Sequence, residues 1–185
     1  MRQHLAFVAT FAIALSALGS GNAQAATVKD SFEYHVGDVF LQNLGFPVGD
    51  KAMADNGDIV TVIGTGTFDV TTKTASGGGT FVHRTSGGAL VASGTWTATG
   101  LIAFQSYGNG VPQELPPSFF GGRAALAIVG TPTGTSLQLP ATLQIECELG
   151  SPPAGTSEGI RLNVRDLINF NKTPPESGNT VFIRH

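Results

Sequence analysis

The side chains that could do chemistry are few and scattered. His83 shares a face with Phe81 in a run of β-formers, with Thr80, Val82 and Arg84 on the other. A histidine so placed could project into an interior as an acid or base, but one histidine without a partner is not a site. The plainer reading is a half-buried strand histidine with a satisfied hydrogen bond. Glu146 and Glu148 point the same way from one strand. Carboxylate pairs that cleave glycosides flank a cleft from different elements, so two on one strand read as a solvated charged ladder. Cys147 is the only cysteine and lies among alternating apolar residues, where a thiol is a small buried hydrophobe rather than a nucleophile. Asp50, Asp55 and Asp58 cluster, but without the glycine and glutamate positions of a calcium loop, and read as solvated turn residues.

Other chemistries lack their signatures. No His/Cys cluster has metal-ligand spacing, and no Gly-x-Ser-x-Gly marks a serine nucleophile. Gly77-Gly78-Gly79 is followed by neither the helix nor the lysine of a phosphate loop. Asn171-Lys172-Thr173 matches a glycosylation acceptor, but Pro174 follows it. These absences leave no metal, cofactor or catalytic group assigned, with His83 the one catalytic candidate. The net charge is −3 and no basic run is interleaved with aromatics, which argues against a nucleic-acid partner.

The elements that would position these groups are strands. Gly-Thr-aromatic occurs three times, at Gly66-Thr67-Phe68, Gly79-Thr80-Phe81 and Gly94-Thr95-Trp96, among β-formers and separated by glycine-rich breaks. That grammar predicts neighbouring antiparallel strands joined by tight turns. Strands are expected near 27–36, 58–70, 78–84, 90–107, 123–130, 137–150, 159–164, 167–170 and 180–184, with irregular chain at 37–57, a turn at 71–76 and a proline-bearing loop at 108–122. Phe119-Phe120 is expected to anchor that loop to the body. No helix is expected. The fold class is therefore all-β, a single antiparallel barrel of eight to ten strands, with a two-sheet sandwich as the alternative; closure removes the unpaired edges that invite aggregation.

One register follows from alternation. Folding 142–149 onto 160–165 sets Glu148 opposite Arg161, Gln144 opposite Arg165 and Cys147 opposite Leu162.

The N-terminus has the layout of an export signal. Arg2 precedes an apolar run at 5–18, a break at 19–22, and the small-residue site Ala23-Gln24-Ala25. Cleavage before Ala26 would leave residues 26–185 as one domain, secreted or periplasmic. The run is short of the ~20 apolar residues a membrane-spanning helix needs, and no longer one follows, so no membrane span is expected after cleavage.

The Gly-x-Gly-Thr-Phe and Gly-Thr-Trp strand starts, with their glycine-rich hairpins, cover about a quarter of the chain. They resemble small secreted bacterial all-β proteins of unassigned function and, loosely, the barrel of allene oxide cyclases and dirigent proteins. The resemblance implies a lumen that takes an apolar molecule and transfers no catalytic residue. The expected function is a secreted, non-enzymatic barrel that binds a small apolar ligand against Phe68, Phe81, Trp96 and Phe104. The alternatives are a cyclase or isomerase acting in the same lumen, with His83 or a buried carboxylate as acid or base, and a structural or surface-interaction protein with a filled core.

Overall fold

A computed structural model describes residues 30–175 and 177–185; the expected signal peptide at 1–25 lies outside them. The described residues form β1 (Ser31–Val36), α1 (Val39–Asn43), β2 (Asp50–Ala54), β3 (Ile59–Asp69), β4 (Thr74–Arg84), β5 (Leu90–Asn109), β6 (Phe119–Pro132), β7 (Leu139–Cys147), β8 (Gly159–Val164), β9 (Ile168–Lys172) and β10 (Thr180–Arg184), with a 3₁₀ turn at Val111–Gln113. Every strand pairing among them is antiparallel.

The ten strands make one barrel-like sheet. Eight of them close a ring in the order β2-β3-β4-β5-β6-β7-β8-β9. Two long strands also serve a second pairing. The first half of β3 pairs with β2 and the second half with β1. The start of β6 pairs with β10 and the remainder with β7. Strands β1 and β10 pair with one another and so bridge β3 to β6 across one end of the ring. Among the described residues no helix is long and apolar enough to cross a membrane.

That end is solid with aromatic rings. Phe68 lies 4.9 Å from Phe104 and 5.7 Å from Phe182 between ring centroids, and Phe32 lies 4.7 Å from Phe104. Tyr34 stacks between Phe68 and Trp96. Two of these rings lie over strand glycines. A β-carbon on Gly66 would sit 2.6 Å from the Tyr34 hydroxyl, and one on Gly64 would overlap the Trp96 indole. The bare backbone lets the rings lie flat across the strands, with the Tyr34 hydroxyl donating to Ser76 O (3.0 Å) and the indole Nε1 donating to Ile63 O (3.1 Å).

Several expectations need correction. The chain at 37–57, expected to be irregular, holds both α1 and β2. Asp38 caps α1, accepting from Leu41 N, and this single cap carries a helix too short for sequence periodicity to show. Strand β4 begins at Thr74, inside the expected turn; Lys73 takes the left-handed conformation (φ 59°) that reverses the chain there. Phe119 and Phe120 pack against the core, as expected of an anchor, but they open β6 rather than end a loop.

The β7–β8 register is shifted by four residues from the expected one. Gln144 faces Arg161 and Leu143 faces Leu162, with the last pair Glu146–Gly159. The chain leaves the pairing after Cys147, where the 148–158 segment makes its hydrogen bonds outside the β7–β8 ladder. There Ser151 N donates to Tyr107 O (2.7 Å) and Glu148 N donates to the Glu158 carboxylate (3.0 Å).

Candidate functional site

The ring of eight strands encloses a cavity of about 370 Å³ at the end away from the aromatic plug. Alternation places one apolar face of each strand from β3 to β9 on it, including Val62, Trp96, Ile128, Leu143, Leu162 and Phe170. Trp96 divides the two regions, since its indole is part of the cavity wall and stacks on Tyr34 in the plug. Of the four expected ligand-binding residues, Phe81 and Trp96 line the cavity, while Phe68 and Phe104 pack in the plug. Leu167 forms part of the wall and is 67 % exposed, so the cavity communicates with solvent beside it.

His83 stands in this wall, on the face it shares with Phe81. It has a partner that the sequence reading passed over. Its Nε2 lies 3.0 Å from Asp58 Oδ2, and its ring meets Phe170 edge-on at 5.1 Å. Asp58 is held in turn by Ser86 N, which donates to its other oxygen (3.3 Å). The hydrogen bond from His83, above all, keeps the Asp58 carboxyl below its ordinary range. Asp58 is therefore no free turn aspartate but half of an oriented dyad on an otherwise hydrocarbon wall.

Two further polar groupings lie away from the cavity. Glu146, expected to be solvated, is fully buried. It accepts from Tyr107 Oη (2.7 Å), Arg123 Nε (2.9 Å), Arg161 Nη1 (3.0 Å) and Gln144 Nε2 (3.3 Å). The ladder is thus a covered network around one carboxylate, and Arg161 pairs with Glu146 rather than with Glu148. Both carboxylate oxygens are occupied by side chains of neighbouring strands, which marks this as a framework group. Cys147 is buried as expected, and burial pushes its thiol up to about 12, so it is protonated and inert.

The second grouping is acidic. Asp50, expected in a solvated turn, is buried; its Oδ1 accepts from Lys51 N (2.8 Å) and Gly178 N (2.9 Å) and its Oδ2 has no partner among the described residues. Burial raises its carboxyl, and burial with repulsion from Glu148 and Asp50 pushes Glu158 up to about 7. A carboxyl raised in the folded state is easier to ionise in the unfolded chain. Stability is therefore fully present below the ordinary value of 4.5 and is lost as pH rises through about 7. The melting temperature is expected to be higher at pH 5 than at pH 8, by the equivalent of up to about 3 kcal/mol, and Glu158→Gln should flatten that dependence. A melting temperature that holds steady or climbs between pH 5 and pH 8 would count against it. Among the described residues no three His, Cys, Asp or Glu side chains are placed to hold a metal ion.

The fold and site together define a class: an all-β, barrel-like ring around an apolar cavity whose wall holds one histidine, His83, hydrogen-bonded to Asp58. No protein-family model matches the chain, and neither a curated protein nor a solved structure matches it.

Proposed function

We propose that this protein is exported and holds a small apolar molecule in its ring, as a binding protein rather than an enzyme. The observation that carries this reading is the cavity of about 370 Å³ walled by side chains of seven of the eight ring strands, β3 to β9. Its size is within the range of small-molecule sites, and a hydrocarbon wall with few polar groups is their usual make-up. At ~30 Å³ for a water-sized group, it accommodates about a dozen heavy atoms. A filled core, the expectation for a purely structural barrel, fits the plug end but not this one.

A second reading, a cyclase or isomerase with His83 as acid or base, is favoured by the dyad, since Asp58 orients the imidazole as a catalytic carboxylate would. It differs from the first in requiring turnover of the bound molecule.

The test is mass spectrometry of compounds that copurify with the protein from its own host. An apolar compound is expected with the unaltered protein and its loss with Ala141→Phe, whose ring would enter the cavity from the wall. If nothing copurifies and the Trp96 emission ignores added 1-decanol, the binding reading fails. If a compound that copurifies is returned chemically altered after it is added back to the ligand-free protein, the enzyme reading replaces it.

A further inference from the structure

The dyad restricts the head group of what the cavity holds. This step rests on the reading of the cavity as a ligand site. In a neutral imidazole one nitrogen carries the hydrogen and the other a lone pair. Asp58, as a carboxylate, only accepts, so the hydrogen bond at 3.0 Å fixes the hydrogen on Nε2 of His83 and leaves the lone pair on Nδ1. Nδ1 is bonded to no described residue, although the ring belongs to the cavity wall. An alkane filling the cavity would leave that acceptor without a donor. A ketone or an ether would bring its own lone pair against it. A carboxylate would do the same and would carry its charge toward that of Asp58. A hydroxyl is the head group that donates to Nδ1 without adding charge.

We infer that the cavity takes a hydrocarbon of about a dozen heavy atoms bearing an alcohol, with the hydroxyl donating to His83 Nδ1. Asp58 acts through His83 by fixing its tautomer and is a positioning residue. Trp96 is the only tryptophan of the chain and lies in the cavity wall, so its emission reports occupancy directly.

The experiment titrates the purified protein with 1-decanol and with 2-decanone at pH 8, following Trp96 fluorescence. The two probes match in size and differ in the ability to donate. The alcohol is expected to bind about tenfold more tightly, the worth of one net hydrogen bond. In His83→Phe the preference should vanish while both probes still bind, and in Asp58→Asn it should shrink. Equal affinity of the two probes for the unaltered protein would overturn the inference and leave the cavity reading standing. A preference that persists in His83→Phe would overturn it too. Binding of neither probe would overturn the cavity reading itself, and the inference with it. The comparison on the unaltered protein decides the matter even if a variant fails to fold.

Discussion

Replacing Glu146 with alanine is expected to lower the free energy of unfolding by about 3 kcal/mol or more, since removing one partner of a buried ion pair typically costs 3–5 kcal/mol. The carboxylate is fully buried and holds two guanidinium groups, with Arg123 Nη2 at 2.7 Å and Arg161 Nη1 at 3.0 Å. Without it, two positive charges face one another and the Tyr107 hydroxyl loses its acceptor. The effect should fall toward the lower end of that range, because the Arg123 and Arg161 side chains are 44 % and 26 % exposed and can turn to water. Glu146→Gln keeps an acceptor but not the charge and should cost less than the alanine change. Urea denaturation reads both. A loss below about 1 kcal/mol for the alanine variant would mean that the network behaves as an ordinary surface ladder. The consequence reaches the cavity indirectly. Glu146 and the wall residue Leu143 share β7, and Arg123 and Arg161 tie that strand to β6 and β8, so the network clamps three neighbouring wall strands from outside.

The strands were legible because alternation is a local signal. Thr180–Arg184 and Gly159–Val164 fall where the residues place them, and the Gly-Thr-aromatic triplets lie on β3, β4 and β5, which pair in sequence. What alternation leaves open is the amount of slip. A shift of four residues keeps every side chain on its own face, so the β7–β8 pairing looked consistent in a register that the 148–158 segment does not allow. That segment is closed by Glu148 N on Glu158 and tied to Tyr107 O through Ser151 N, a contact with no local trace, and its Ser157 accepts from Arg161, which also holds Glu146. A buried carboxylate held by side chains from four different strands has no periodic signature. The His83–Asp58 pair is different, because it was within reach. Folding 58–70 onto 74–84 about the turn sets Val60 opposite His83, and Asp58 lies two residues from Val60 with the same facing. Reading the aspartates as a turn cluster, rather than following the hairpin to its open end, concealed the partner. The division between plug and cavity was likewise beyond alternation. Phe68, Phe81, Trp96 and Phe104 all face inward, and only the extra pairing of β1 and β10 across one end determines which of them meet each other and which meet a void.

The glycine under the Trp96 ring should be as sensitive as the buried glutamate. Gly64→Ala is expected to cost about 3 kcal/mol, at the upper end of what overpacking a core does. The added carbon would overlap the indole and would also approach Gly78 O at 2.6 Å, and a backbone carbonyl inside a paired strand has little room to yield. The indole must therefore move, breaking the bond from Nε1 to Ile63 O and the stack on Tyr34. Gly100→Ala is the matched control. It lies in β5, where an added carbon would meet only Lys73 O at 3.7 Å, so it should change stability by less than about 0.5 kcal/mol. Emission from the sole tryptophan separates the two explanations of a destabilised Gly64 variant. A ring forced out of its place shifts toward the emission of a solvated indole in the native state at low temperature, whereas lost backbone freedom alone leaves the native spectrum unchanged. The same displacement would alter the wall between plug and cavity, so Gly64→Ala should weaken 1-decanol binding while Gly100→Ala leaves it intact. If the Gly64 variant folds with unaltered emission and binding, the flat seat of Trp96 on the glycine strand is not what shapes the cavity.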